Sequence, residues 1–329
     1  DADIFANEES SAHFGADLPD AASDFTAFQW GFGNSGKMSG ISSDEAVDMR
    51  SAEWTSQAPD ESLEEVVVAV IDSGVDASNP DLAPVMWDGG LTSGIELTGG
   101  EDEHGFAVAA DSDAGVTSTT GIDNYHGTHV AGIIGAEWDG EGISGIASNA
   151  SIMAVRHNDT LSGLLECFDY VSRACDAGVD VRVTNNSWGL GQMASRSIDL
   201  AVTELGQKGV MSVFGSGNSA TDNDSASATV SMLSDNPYVV VVDAIEPSGQ
   251  MAAYSQYGET TTDVMAPGST ILSTWGTDAQ VYLGEADGDA VLYESFDEKT
   301  HSNLGDEAES DDDGVVSAQG EQLIFQRYD

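Results

Sequence analysis

Apolar positions along the chain fall into two kinds of run. Short stretches rich in valine lie at Glu65 to Ile71, Ser151 to Arg156, Val181 to Asn185, Gly209 to Phe214 and Tyr238 to Val242. Most are nearly unbroken, which predicts strands covered on both faces, since a strand with one wet face would alternate apolar and polar residues. Between them, His126 to Ala136, Ser162 to Cys175 and Met193 to Gln207 predict helices. Strand, helix and strand in regular succession predict right-handed crossovers and a mainly parallel sheet, an α/β fold. In such sheets the functional groups gather beyond the carboxyl ends of the strands.

The pattern holds from about Phe25 to Thr277 and fails on either side. Residues 1–24 are acidic and weakly periodic, and read as a leader remnant or extended arm. After Thr277, the runs Gly284 to Asp289 and Glu307 to Asp313 are acidic and turn-like, and short strand-like runs occur at Ala290 to Phe296 and Gln322 to Phe325. Residues 278–329 therefore read as an acidic, β-rich insertion or the start of another module.

Charge narrows the partners. Asp and Glu number 58 against 9 Lys and Arg, a formal charge of -49. A polyanion gains no counterion release from nucleic acid, and anionic lipid surfaces repel it as well. Disorder does not follow, because hydrophobic residues make up 40% of the chain and are interspersed with the acids. Self-repulsion of this size destabilises a compact state unless salt screens it, so a high-salt or extracellular setting is the expectation. No apolar stretch reaches the roughly 18 residues of a membrane span. No basic, apolar leader precedes Asp1, and a signal peptide is read as absent or already removed. Cys167 and Cys175 lie eight apart on a predicted helix, a rise of about 12 Å. That exceeds the roughly 7 Å limit for a disulfide, so both are expected to be free and buried.

Four segments carry candidate chemistry. Val70-Ile-Asp72-Ser-Gly74 puts a carboxylate at a strand exit, where it could orient a base or simply form an Asp-Ser-Gly turn. His126-Gly-Thr-His129 starts a helix of small residues, with a helix cap as the plain alternative. Two histidines three apart raise the question of zinc, yet the metalloprotease signature spaces them by four with a glutamate base between. Gly127 and Thr128 stand there instead. Val183-Thr-Asn-Asn-Ser187-Trp-Gly189 is an extended polar stretch whose backbone could pair with a peptide as an added strand. Val213-Phe-Gly-Ser-Gly217-Asn218 ends a further strand. Its Gly215, Gly217 and Ala220 spacing mimics a dinucleotide fingerprint, but a loop follows where a phosphate-binding helix would start. One hypothesis unites the segments: Asp72 holds the tautomer of His126, His126 acts as general base, and Asn218 donates to an oxyanion.

Arranged in this order, the residues resemble the subtilisin-like serine proteases, the subtilases. The resemblance rests on Gln29 to Gly36, Val68 to Asp76, Asn79-Pro-Asp-Leu82, His126 to Gly132, Asn186-Ser-Trp-Gly189, Gly217-Asn218 and Asp263-Val-Met-Ala-Pro-Gly268. It implies a three-layer subtilisin-like fold and endopeptidase activity through an acyl-enzyme on extended polypeptide substrates, in a secreted or cell-surface protein. It assigns Ser187, Trp188 and Gly189 to one wall of the substrate cleft and Gly215, Ser216 and Gly217 to the other. It also places Asp81 where some members bind calcium. One departure stands out. The family's nucleophile occupies a Gly-Thr-Ser-Met-Ala segment that opens a helix, and none occurs between Gly268 and Asp329. Ser295 and Ser317 lack that small-residue setting. The expectation is a fragment whose nucleophile lies further along, with part of a sheet face left bare; the alternative is a subtilase-like protein that captures peptides without cutting them.

Overall fold

The computed structural model describes Gln29, Gly31 and residues 65–89, 101–108, 125–139, 142–188, 195–225, 233–246, 249–269 and 271–274, together with the backbone of four later strands. The predicted arm at 1–24, Gly189 and Ser295 lie outside the described residues.

The elements follow the predicted alternation. They run β1 (Val66–Asp72), β2 (Glu101–Asp102), β3 (Gly105–Ala107), α1 (Tyr125–Gly135), β4 (Ala150–Arg156), α2 (Leu161–Asp176), β5 (Val181–Asn186), α3 (Arg196–Gln207), β6 (Met211–Gly215), β7 (Val239–Ile245), β8 (Val264–Pro267) and β9 (Ile271–Thr274). Four more strands complete them, β10 (Tyr282–Ala286), β11 (Asp289–Tyr293), β12 (Gly314–Ala318) and β13 (Glu321–Gln326). The main sheet has the order β2-β3-β4-β1-β5-β6-β7-β8, and every neighbouring pair is parallel except β2 with β3.

Alternation along β1 explains why its valines are unbroken. Val67, Ala69 and Ile71 face a core with Leu164, Phe168 and Val171 of α2 and Ile198, Val202 and Leu205 of α3. Val70 faces the opposite core, built with Ala131 of α1 and Ile152 and Ala154 of β4. Both faces are buried, and each fully buried aliphatic side chain contributes on the order of 1.5–3 kcal/mol. Helix α2 starts where Thr160 Oγ1 accepts the Gly163 N–H at 3.0 Å, an N-cap that satisfies one orphan donor.

Beyond β1 the two faces differ in burial among the described residues. The parallel registers align Val183 with Met211, Val213 with Val240, and Val242 with Val264, so these residues share the face that α1 covers over β1 and β4. Here they are only partly buried, with Met211 38% and Val264 50% exposed. The opposite face, with Phe214, Val239 and Val241, is closed. Among the described residues this apolar face is partly open.

Several boundaries differ from the sequence reading. β6 begins at Met211 and not Gly209, because Gly209, at φ +93°, closes α3 by donating its N–H to Gly206 O at 3.0 Å. β8 was visible only as a family motif, since four residues ending in proline carry no strand signal. Its place at the sheet edge tolerates the missing donor. The late strands form two antiparallel pairs, β10 with β11 and β12 with β13, and β13 also pairs with β9. The acidic tail is therefore β-rich, and its last strand joins a strand that precedes the composition change at Thr277. Ser317 sits inside β12, opposite Gln322. Both cysteines are free; Cys167 is buried as expected, whereas Cys175 is only half-buried near the end of α2. Burial raises both thiol pKa values, which makes them poor nucleophiles at neutral pH.

Candidate active site

Asp72 ends β1 and is almost fully buried. Its Oδ1 accepts the Ser73 N–H at 2.7 Å and lies 2.7 Å from His126 Nδ1. Two glycines make this approach possible. Gly74 turns the chain at φ +103° directly after the strand. A Cβ on Gly127 would overlap the carbonyl oxygen of Gly74, so the first turn of α1 can lie against the β1 exit only because that position is bare. Ser73 Oγ then accepts the Gly127 N–H at 3.0 Å and ties the two segments together.

The electrostatics follow from this geometry. Burial favours the neutral imidazole, but the charge and hydrogen bond of Asp72 together outweigh it and hold the His126 pKa above the ordinary histidine value. With a carboxylate on Nδ1, the neutral ring keeps its proton there and presents Nε2 as an acceptor. The imidazole is 37% exposed, enough to meet a substrate or a second catalytic group. Asp72 Oδ2 is buried with no hydrogen-bond partner among the described residues.

Two further predicted residues lie along the same sheet end. Ser187 follows β5, and Asn218 follows β6 beyond the tight bend at Gly217, φ +114°. β1, β5 and β6 are consecutive neighbours, so the exits of β1 and β6 are two strand spacings, about 10 Å, apart. Asn218 is exposed there. Ser187 is exposed as well, and its hydroxyl accepts Asn185 Nδ2 at 2.8 Å.

Comparison with known proteins gives the family. The family described as "Subtilase family" matches residues 64–300. The chain belongs to the subtilases. It is 33% identical over 222 residues to a thermophilic serine proteinase of Bacillus sp. (strain AK1), covering 66% of this chain and 47% of that protein. To Subtilisin NAT of Bacillus subtilis subsp. natto it is 31% identical over 212 residues, covering 64% and 48%. The chain thus spans about half the length of these relatives. A crystal structure of a cold adapted subtilisin-like serine proteinase matches with a TM-score of 0.48 at 27% identity, covering 70% of this chain and 68% of that one.

Within this subtilase several sequence expectations gain a concrete position. The Trp188 indole packs edge-on against Phe168, Phe214 and His157, with ring centroids 6.3, 5.6 and 6.0 Å away. Its ring is therefore part of an aromatic cluster beneath the site. Gly215 is exposed, while Ser216 is buried. His129, weighed above as a zinc partner of His126, instead places Nε2 3.3 Å from Ile271 O of β9. No group of three His, Cys, Asp or Glu side chains suited to a metal gathers among the described residues.

Asp81 lies apart from these residues, buried beneath the turn at 142–143. Its Oδ2 accepts the Ile143 N–H at 3.0 Å, and Gln29 Oε1 accepts the neighbouring Ser144 N–H at 3.0 Å. Calcium takes six to eight oxygen ligands. Side-chain oxygens of Asp81, Gln29 and Asn79 each accept a backbone N–H here.

The sequence reading missed His157. Its N–H donates to the Asp72 carbonyl at 3.0 Å, and its ring is nearly buried. Burial lowers its pKa below the ordinary value despite the nearby charges of Asp72 and Asp159, and the charges of His126 and Arg156 push the same way. His157 is thus a neutral ring beside the Asp72 and His126 pair, with Nδ1 accepting the Asp159 N–H at 3.2 Å. A single histidine after a valine strand carries no motif, so only the parallel register of β1 with β4 reveals it.

Proposed function

We propose that this chain is the Asp, His and Asn part of a serine endopeptidase that acts on extended polypeptides outside the cell. Asp72 fixes the imidazole tautomer, and His126 Nε2 takes the hydroxyl proton of an attacking serine. The protonated ring then returns that proton to the leaving amine. As the scissile carbonyl becomes tetrahedral, Asn218 Nδ2 donates to its oxygen. A donor of this kind contributes about 3–4 kcal/mol to the transition state; that magnitude comes from a subtilisin's own oxyanion amide and not from this geometry. Ser187 to Gly189 and Gly215 to Gly217 form the two walls, and the substrate lies between them as an added strand. Secretion is part of the proposal and draws on the strongly acidic composition and the family.

The observation that supports this reading is the 2.7 Å contact between buried Asp72 and part-exposed His126, made at a sheet end that also carries Asn218. A peptide-capturing protein would have no use for an oriented base. The nucleophile belongs to this proposal as a serine outside these 329 residues, because Ser317 is held in β12 and none of the residues after Gly268 repeats the family's Gly-Thr-Ser setting.

The test has two arms. A fluorophosphonate probe should leave the 329-residue chain unlabelled and should label a longer product that carries a Gly-Thr-Ser segment. In that longer protein, His126→Ala should abolish both labelling and hydrolysis of an extended peptide anilide. Labelling of the short chain would overturn the placement of the serine. Full activity without His126 would overturn the proposed chemistry.

A further inference from the structure

Asn218 stands exposed on a turn, and an oxyanion donor is useful only if the turn cannot drift. Its flanks are held by one residue of a distant loop, through its backbone on one side and its side chain on the other. Gln256 donates its backbone N–H to Gly217 O at 2.7 Å, just before Asn218. Its side-chain Nε2 donates to Thr221 Oγ1 at 3.0 Å and to Asn223 Oδ1 at 2.8 Å, just after it. The orientation of this amide is fixed by its neighbour. Asn223 is fully buried and spends its own Nδ2 on Ser216 O at 3.0 Å, so the oxygen it turns toward Gln256 requires a donor there.

The contact extends along both strands of the loop pair. Gln256 O accepts the hydroxyls of Ser216 and Ser255 at 2.9 and 2.8 Å. Ala220 N–H donates to Tyr254 O, and Tyr257 N–H to Thr221 O. Gly217 adds a steric lock, because a Cβ there would overlap Gln256 Oε1 and its amide carbon. The left-handed bend at Gly217 and the Gln256 amide are therefore fitted to each other.

We propose that Gln256 is the positioning residue of the oxyanion donor: it clamps both flanks of the turn that carries Asn218 and so fixes where the amide points. The inference rests on the role proposed for Asn218. It uses no contact between Gln256 and substrate, and it assigns the loop at 254–257 a part in the reaction that no sequence motif suggested.

A double-mutant cycle in the longer, serine-containing protein tests it, read on an extended peptide anilide. Asn218→Ala should lower kcat by on the order of 10²–10³. Gln256→Glu keeps the shape but turns an acceptor toward Asn223 Oδ1. It should lower kcat by on the order of 10², the loss that follows a displacement of about 1 Å, with KM unchanged. The double variant should be no slower than Asn218→Ala alone. If the two losses multiply in full, Gln256 acts elsewhere and the inference fails, while the proposed chemistry stands. An Asn218→Ala protein with wild-type kcat would overturn both. Should Gln256→Glu fail to fold, Thr221→Val removes one of the two acceptors with little change of shape. It should lower kcat severalfold and again add nothing to Asn218→Ala, and an unchanged kcat would refute the clamp.

Discussion

Replacing Asp72 by asparagine keeps the shape of the β1 exit and removes one charge from the site. With His126 Nδ1 2.7 Å from Asp72 Oδ1, the charge centres are about 4 Å apart, where a unit pair is worth about 1 kcal/mol in water and about 4 kcal/mol at an effective dielectric of 20. The 37% exposure of the imidazole places the interaction toward the screened end, on the order of 1–2 kcal/mol. Since 1.36 kcal/mol is tenfold in a protonation equilibrium, the His126 midpoint in Asp72→Asn should fall by on the order of one pH unit. Burial then acts unopposed, so the midpoint should end below that of an ordinary histidine. Stability follows the same sign. In the wild type, the folded His126 pKa is raised, so the pair's stabilisation is complete below the unfolded value of about 6.5 and is lost as pH rises through the folded one. The substitution should therefore destabilise most between about pH 5 and 6, and least in mild alkali. Imidazole Cε1–H signals followed by two-dimensional NMR read the midpoint, with His126→Gln identifying the signal, and urea unfolding at two pH values reads the stability. A His126 midpoint that stays put or rises on loss of Asp72 would refute the argument.

Gly127→Ala should destabilise by about 1–3 kcal/mol in urea unfolding and weaken the perturbation of His126, because its methyl would push α1 off the Gly74 turn; a variant as stable as the parent would show that the helix has room to spare. Val241→Thr, in the closed core, should cost about 1–3 kcal/mol, whereas Val240→Thr one residue along should cost less than about 0.5 kcal/mol; equal losses would mean that the face of Val240 is as covered as that of Val241. With a formal charge of -49, the melting temperature should climb between 0.1 and 1 M potassium chloride, over which the screening length falls from about 10 to about 3 Å; a flat response would remove self-repulsion as a factor in this fold.

How much of this was legible in the sequence depends on the range of the forces involved. The apolar runs of β1 and β4 are set by burial on both faces, which leaves its mark at nearly every position, and each was found to within a few residues. β8 and β9 left no such mark. β9 owes its place to side chains that act across the fold, with Ser273 Oγ donating to His129 O at 2.6 Å and Thr274 Oγ1 to Thr128 O at 2.7 Å. Two hydroxyls on a four-residue strand look like any polar stretch until α1 is laid over them. The same holds for the end of the tail, where β13 finds β9 through backbone pairing that composition does not encode.

The site divides along the same line. Asp72 and His126 were readable because each sits among glycines whose only physical use is to let two segments touch. Asn218 was singled out for a similar reason, since Gly217 marks the bend that presents it. Gln256 was not, because a neutral amide in a polar loop carries neither charge nor periodicity, and its partners lie 33 to 40 residues away. Glycines record where the backbone must pass closely, and motifs are largely built from them. The side chains that then hold those passages rigid are chosen by fit to a particular neighbour, so a chain can preserve the visible motif and still lose its chemistry through a residue such as Gln256. On that asymmetry, the proposed clamp on Asn218, more than the Asp72 and His126 pair, is where the activity proposed for the longer protein would most easily be lost without a trace in the family signature.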